Sequence, residues 1–181
     1  MRDAFTDKEY LEVVSDLIYH PEVVKLKNFR HHNVSNRYKH SEEVSYLSYR
    51  MAKRLGLDGV EVARGALLHD LYHYDTDVTD KDAYSIHLKN HPKIAFKNAC
   101  KLTQVTPTMK DVILCHMYYG TETHPTPQSK ESWVVALADK LTTIDDMGDY
   151  VRYISEFTKV YYRERRRISL KQYSLHFPIQ I

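Results

Sequence analysis

Six side chains of two kinds, imidazole and carboxylate, recur along the chain at intervals that would bring them together. His40 and His69 are 29 residues apart, Asp70 and His91 are 21 apart, His91 and His116 are 25, and His116 and Asp139 are 23. Each interval is about one helix plus a connection, so neighbouring antiparallel helices would present these groups to one bundle interior. Five of them lie on apolar stripes, with Asp70 beside His69. His40 continues Val44, Leu47, Met51 and Leu55; His69 continues Val62 and Ala66; His91 leads into Ile94, Ala95 and Ala99; His116 follows Met109, Val112 and Ile113; Asp139 stands one turn after Val135. The helical period therefore turns the polar groups inward. A buried imidazole is tolerable once hydrogen-bonded, but a buried carboxylate is expensive unless it is paired or bound to a metal. His40 alone would read as a hydrogen-bonded core histidine. Four imidazoles and two carboxylates converging on one interior read as a metal site.

Mixed nitrogen and oxygen donors suit iron, manganese, zinc, cobalt or nickel better than magnesium alone, and do not choose among them. The adjacent pair His69-Asp70, in ARGALLHDLYHYD (63–75), adds a specific device. Helix neighbours point about 100° apart, so Asp70 can bridge two ions while His69 binds one. Two ions roughly 3.5–4 Å apart can polarise a phosphoryl oxygen and generate hydroxide from water at neutral pH.

The elements that must position these residues are helical. Five glycines, six prolines and many 3–4 apolar spacings in 181 residues predict an all-α single-domain bundle, with no strand pattern, no internal repeat and no low-complexity segment. About seven or eight helices are expected. Thr6-x-x-Glu9 predicts a capped helix to about His20, and Asp58-x-x-Glu61 one to about Tyr72. Further helices are expected over 22–30, 39–55, 90–102, 108–118, 130–148 and 150–167, with loops at 31–36, 75–88 and 120–129. On this reading 1–36 forms N-terminal helices packing on the core, 37–148 the metal-binding core, and 149–181 a C-terminal helix and tail, in one compact domain overall.

The bulk numbers agree with a soluble globular chain, since 43% of residues are apolar and 28% charged. No apolar run approaches the roughly 18 residues of a membrane span, and MRDAFTDKEY lacks a signal-peptide hydrophobic segment, so no membrane association and a cytoplasmic location are expected. Cys100 and Cys115 fit no CxxC-like spacing and are expected to be reduced core residues. The net charge is +2, but 159–171 carries +5 and the remainder −3. The basic patch is local, and nucleic acid is not an expected partner.

The ordered set H…HD…D, carried by RYKHSEEVSYLSYRMAKRLGLD, ARGALLHDLYHYD and ALADKLTT, resembles the HD-domain superfamily of metal-dependent phosphohydrolases. The resemblance covers about 37–146. His91 in NHPKIAFKNA and His116 in VILCHMYYG resemble the subset that holds two metals. The chain is most similar to small bacterial HDIG-type proteins and, more distantly, to HD-type diadenosine tetraphosphate hydrolases. The resemblance implies that His40, His69, Asp70 and Asp139 hold the first ion and that Asp70, His91 and His116 face the second. It also implies cleavage of a small phosphorylated molecule, a nucleotide, at a phosphoester or phosphoanhydride by hydroxide activated at the ions, with Asp70 as the catalytic residue. His73 departs from the diadenosine-type pattern, which usually carries lysine there, so that substrate does not transfer. Two alternatives from other classes remain. One is an HD-type di-iron oxygenase, whose members tend to carry a lysine where this chain has Gly120. The other is a non-catalytic sensor that holds metal and nucleotide without turnover.

Around the six, Arg37, Arg64 and Lys140 are candidates for phosphate oxygens, which Arg grips bidentately and Lys as a point charge, against surface charge or a carboxylate partner. His73 is a candidate for substrate phosphate or for the last carbonyls of its helix. HDLYH also approaches the HExxH of zinc peptidases, but Asp is a methylene shorter than the Glu base and the other inward ligands would go unexplained. His31 and His32, in the loop before the first ligand helix, stand where they could reach the metal mouth, against solvent exposure, which is the expectation. Tyr118, Tyr119 and His124 to Pro127 would form a lid or, given fifteen tyrosines, half-buried packing. RERRR (163–167) reads as a solvated helix face, against a site for an acidic partner or RNA. The tail SLHFPIQI (174–181) is expected to dock on the body or on a second subunit, a possible homodimer.

Overall fold

The computed structural model describes residues 4–31, 35–75, 79–118 and 125–144. The predicted 150–167 helix, the RERRR run and the C-terminal tail lie outside them, as do His32, Tyr119 and His124. The fold is all-α apart from one small hairpin. A 3-10 turn at Ala4–Thr6 leads into α1 (Lys8–Ile18); α2 (Pro21–Val24) runs into a 3-10 turn over Lys25–Asn28; then come α3 (Arg37–Leu55), α4 (Gly59–Leu67), α5 (Lys81–Leu102) and α6 (Pro107–Cys115). A seventh helical segment, α7, covers 130–144 of the described residues.

The helix starts follow side-chain capping, in which an acceptor satisfies a free backbone N–H of the first turn. Asp58 accepts from Val60 N and Glu61 N and opens α4 where the sequence places it. α1 opens one residue later than expected, because Asp7, not Thr6, accepts from Tyr10 N. Asn36 caps α3 through Lys39 N, and its far end stops at Gly56, whose φ of 67° is the left-handed conformation glycine takes without a Cβ penalty. Thr106 caps α6, with Pro107 in the first turn, where its missing N–H costs nothing.

Four expectations are corrected. The 75–88 loop is helical from Lys81 onward, since Asp80 accepts from Asp82 N and Ala83 N and starts α5 about nine residues early. The 22–30 helix is a short α turn followed by a 3-10 turn. A two-residue antiparallel ladder, β1 (Arg30–His31) and β2 (Ser35–Asn36), stands where no strand was expected, pairing Arg30 with Asn36 and His31 with Ser35. Cys115 is buried, but Cys100 is exposed and so is not a core residue.

Helix α4 is the centre of the packing, in contact with α1, α3 and α6. It can take that place because its buried face is narrow: Ala63, Gly65 and Ala66 alternate with Val62 and Leu67. A chain of buried hydrogen bonds ties it to two neighbours, from Tyr10 Oη to Ser45 Oγ (2.9 Å) and from Ser45 Oγ to the Ala63 carbonyl (2.7 Å). On the other side, a Cβ at Gly65 would stand 3.0 Å from Val112 Cγ1 and 3.3 Å from Met109 Cα, so α6 lies against bare backbone. Gly65→Ala is therefore expected to force α4 and α6 apart and to lower stability by about 1–3 kcal/mol. The urea midpoint checks this; an unchanged midpoint would show that α6 yields without cost.

Candidate metal centre

The helical part of α4 stops at Leu67, and the backbone tightens into successive turns, Leu68 N to Gly65 O (3.2 Å), His69 N to Ala66 O (3.4 Å) and Tyr72 N to Asp70 O (2.8 Å). His69 and Asp70 thus sit on the turn after the helix and not on its last inward turn. That turn is fixed from outside. Asn98 of α5 donates to Leu71 O (2.9 Å), and Arg37 donates to Tyr72 O (2.9 Å) and Tyr74 O (3.2 Å) while lying 3.7 Å above the Tyr72 ring.

All six predicted ligands converge. His40, His69, His91 and His116 are at most 3% exposed, and Asp70 and Asp139 are buried. The contacts fall into two halves. In one, His40 Nε2 lies 2.9 Å and His69 Nε2 3.6 Å from Asp139 Oδ1. In the other, His91 Nε2 lies 3.4 Å and His116 Nε2 3.6 Å from Asp70 Oδ1. Asp70 Oδ2 faces back, 3.8 Å from His69 Nε2.

The ring tautomers are set by backbone. His69 Nδ1–H donates to Ala66 O (2.6 Å), His91 Nδ1–H to His87 O (3.1 Å) and His116 Nδ1–H to Ile113 O (2.9 Å), because a carbonyl only accepts. In metal sites the distal ring N–H bonds outward in this way and leaves the other nitrogen for the ion. His91 and His116 are held neutral: burial, then the neighbouring imidazoles, push His116 down to about 3, and burial lowers His91 against the opposing pull of Asp70. Their Nε2 atoms, 3.0 Å apart, would then oppose lone pair to lone pair. His69 Nε2 and Asp70 Oδ1 are buried and have no hydrogen-bond partner. Inward lone pairs and an orphaned carboxylate oxygen are what a divalent cation satisfies, so the residues fit a metal. The donor atoms of His40, His69 and Asp139 lie within 4.8 Å of one another, as do those of His69, Asp70 and His116.

Other residues fall elsewhere. Arg37 is fully buried, its guanidinium on the carbonyls of Tyr72, Tyr74 and Arg30, so its described contacts brace the turn. Arg64 is not brought to the cluster by any described contact: it pairs bidentately with Asp16 (2.7 and 2.8 Å) and also reaches Val13 O and Thr103. His73 Nε2 donates to Glu22 O (2.9 Å), packing the turn on α2. Lys140 is half-buried beside Asp139 in sequence, and its Nζ donates to Ala136 O (3.2 Å). Tyr118 packs edge-on against Trp133.

The expected exposure of His31 is corrected, and His87 was missed. His31 is not solvent-exposed: it stacks on His40 with ring centroids 3.7 Å apart and stands 4.0 Å from Asp70 Oδ2. His87 stacks on His91 at 4.6 Å and bonds Tyr74 Oη (3.0 Å), and its backbone carbonyl accepts from His91 Nδ1. Its signal was the four-residue spacing to His91, which extends the α5 stripe one turn backward.

A helical bundle whose interior gathers four imidazoles and two carboxylates has the donor groups that could hold metal ions. The family model of the HD domain matches residues 37–144, more than half of the 181-residue chain, and the chain belongs to that family. Membership points to metal-dependent phosphohydrolase-type chemistry. No curated protein was found to match the chain. No helix among the described residues is long and apolar enough to cross a membrane.

Without metal, His69 holds a proton. Burial opposes its charge, but the carboxylates of Asp70 and Asp139 outweigh that and raise it to about 9, while both carboxyls are lowered by the surrounding imidazoles. A group raised from 6.5 in this way stabilises the metal-free fold fully below that value and loses its contribution as the pH rises through about 9. A metal ion must displace this proton. Titration at pH 7.5 in buffers of different ionisation enthalpy is expected to show release of about one proton from His69 per metal-loaded centre. Affinity should rise with pH and level off near 9; affinity flat between pH 6.5 and 8.5 would contradict this.

Proposed function

We propose that this protein hydrolyses a phosphoester or phosphoanhydride bond in a small molecule, a nucleotide, at a centre of two divalent transition-metal ions. The observation that carries the reading is the placement of Asp70. Its Oδ1 faces His91 and His116, and its Oδ2 faces His69 and His31, so one carboxylate serves two sets of imidazoles. His40, His69, Asp70 and Asp139 would hold the first ion, and Asp70, His91 and His116 the second. Bound divalent ions neutralise phosphoryl oxygens and lower the pKa of water toward neutrality. The protein's own part is positional. Asp70 is kept ionised by the imidazoles around it, His91 and His116 are kept neutral by burial, and the backbone carbonyls aim the rings. The turn that carries Asp70 is braced by Arg37 and Asn98, so the carboxylate is preorganised for the ions it would hold.

The test is metal analysis of the purified protein, then a phosphate-release screen over nucleotides and dinucleoside polyphosphates with Mn, Co, Fe and Ni. Asp70→Ala is expected to lose metal and to reduce turnover by at least ~10³-fold, in the range seen when a central electrostatic group is removed. Full activity in Asp70→Ala would overturn the proposal. Metal binding with no phosphate release from any substrate would move the reading to an oxygenase, visible as oxygen consumption by the iron-loaded protein, or to a nucleotide sensor.

A further inference from the structure

The hairpin before α3 places an imidazole at the metal centre that the H…HD…D pattern does not contain. His31, in β1, is joined by Ser35 Oγ–H to its carbonyl (3.2 Å) and by ladder pairing to Ser35. The hairpin is anchored on both sides, by Arg37 N to Phe29 O (3.0 Å) and by the Arg37 guanidinium to Arg30 O (3.4 Å). The same guanidinium braces the turn carrying Asp70. One buried cation thus fixes His31 relative to Asp70.

The His31 ring lies nearly parallel to that of His40, at 20°. Its side chain is 13% exposed, comparable to the 12% of Asp139. The donor atoms of His31, His40 and Asp70 lie within 4.8 Å of one another. Nitrogen ligands sit about 2.0–2.1 Å from such ions, so donors on opposite sides of one ion lie ~4 Å apart. The 4.0 Å from His31 Nδ1 to Asp70 Oδ2 fits that span.

We propose that His31 is a further ligand of the ion shared by His40 and Asp70, an inference that rests on the two-ion reading above. It makes the halves unequal. The Asp70 Oδ2 side gains a third imidazole beside His40 and His69, with Asp139 as its second carboxylate. The Oδ1 side keeps only His91, His116 and Asp70, and so leaves more positions for substrate oxygens.

The experiment is titration of the metal-free full-length protein with Co(II), read by equilibrium dialysis and by the hyperfine-shifted imidazole N–H resonances in the proton NMR spectrum. His31→Gln is expected to weaken the tighter binding step by about tenfold or more, and to remove one shifted N–H resonance while leaving the weaker step in place. His40→Ala is the control. If His40→Ala loses the tight step and His31→Gln keeps it, His31 is not a ligand and the two-ion centre stands. If His31→Gln weakens binding but keeps every shifted resonance, His31 acts through structure and the proposal fails. If neither variant changes binding, both the proposal and the reading beneath it fail.

Discussion

A carboxylate oxygen withdrawn from water and given no hydrogen bond is among the costlier features a fold can hold. Asp70 Oδ1 is in that position, with two imidazole nitrogens at 3.4 and 3.6 Å whose own protons are directed elsewhere. The protonated His69 attracts the carboxylate from its Oδ2 side, but burial holds His91 and His116 neutral on the Oδ1 side. A cation among those lone pairs would satisfy the oxygen. Much of the surrounding structure serves to keep this carboxylate and these rings from relaxing apart.

Three contacts have that effect, and they come from different parts of the chain. The bare backbone of Gly65 lets α6 approach α4, bringing His116 against the turn that carries His69 and Asp70, with those two rings 4.7 Å apart. Asn98 holds the same turn from α5, the helix that carries His91. Arg37 holds it from the start of α3, one turn before His40. Each helix that supplies one of these ligands also supplies a brace, so a ligand and its support move together. This explains why Arg37, a residue with the chemistry of a phosphate binder, is among the largest fully buried side chains. Its planar fork meets three carbonyls and a tyrosine face, which a lysine could not do.

The convergence of His40, His69, His91, His116 and Asp139 was legible because each is polar where its stripe is apolar, and Asp70 was legible as the neighbour of His69. The helix class and the α4 cap at Asp58 were legible for the same local reasons. What escaped were features decided by contacts distant in sequence. His31 lies in a stretch with no apolar period, and only the ladder to Ser35 and the reach of Arg37 turn it toward His40. The start of α5 was hidden by a run of Asp and Thr that resembles a loop, although Asp80 is itself the cap. Arg64 was misjudged in the opposite direction, because nothing local announces that Asp16, 48 residues away, meets its guanidinium.

The charges at the centre also bear on what it can bind. Imidazoles enter a metal site neutral, so the six sequence-legible donors contribute only the two negative charges of Asp70 and Asp139. One divalent ion would bring the site to neutrality, and a second would leave it with an excess of about two positive charges in a low-dielectric interior. Such an excess is unfavourable until an anion enters, and a phosphate ester, with its own two charges, matches it. The same count disfavours a neutral substrate. Adding His31 changes nothing in this balance, since it is a neutral donor; it alters which ion is held more firmly and on which side the anion arrives. If two ions bind as proposed, the distribution of carboxylates, both of them on the half that contains His40 and one of them shared, would leave the ion beside His91 and His116 less neutralised, and an incoming phosphoryl group would meet the stronger field there.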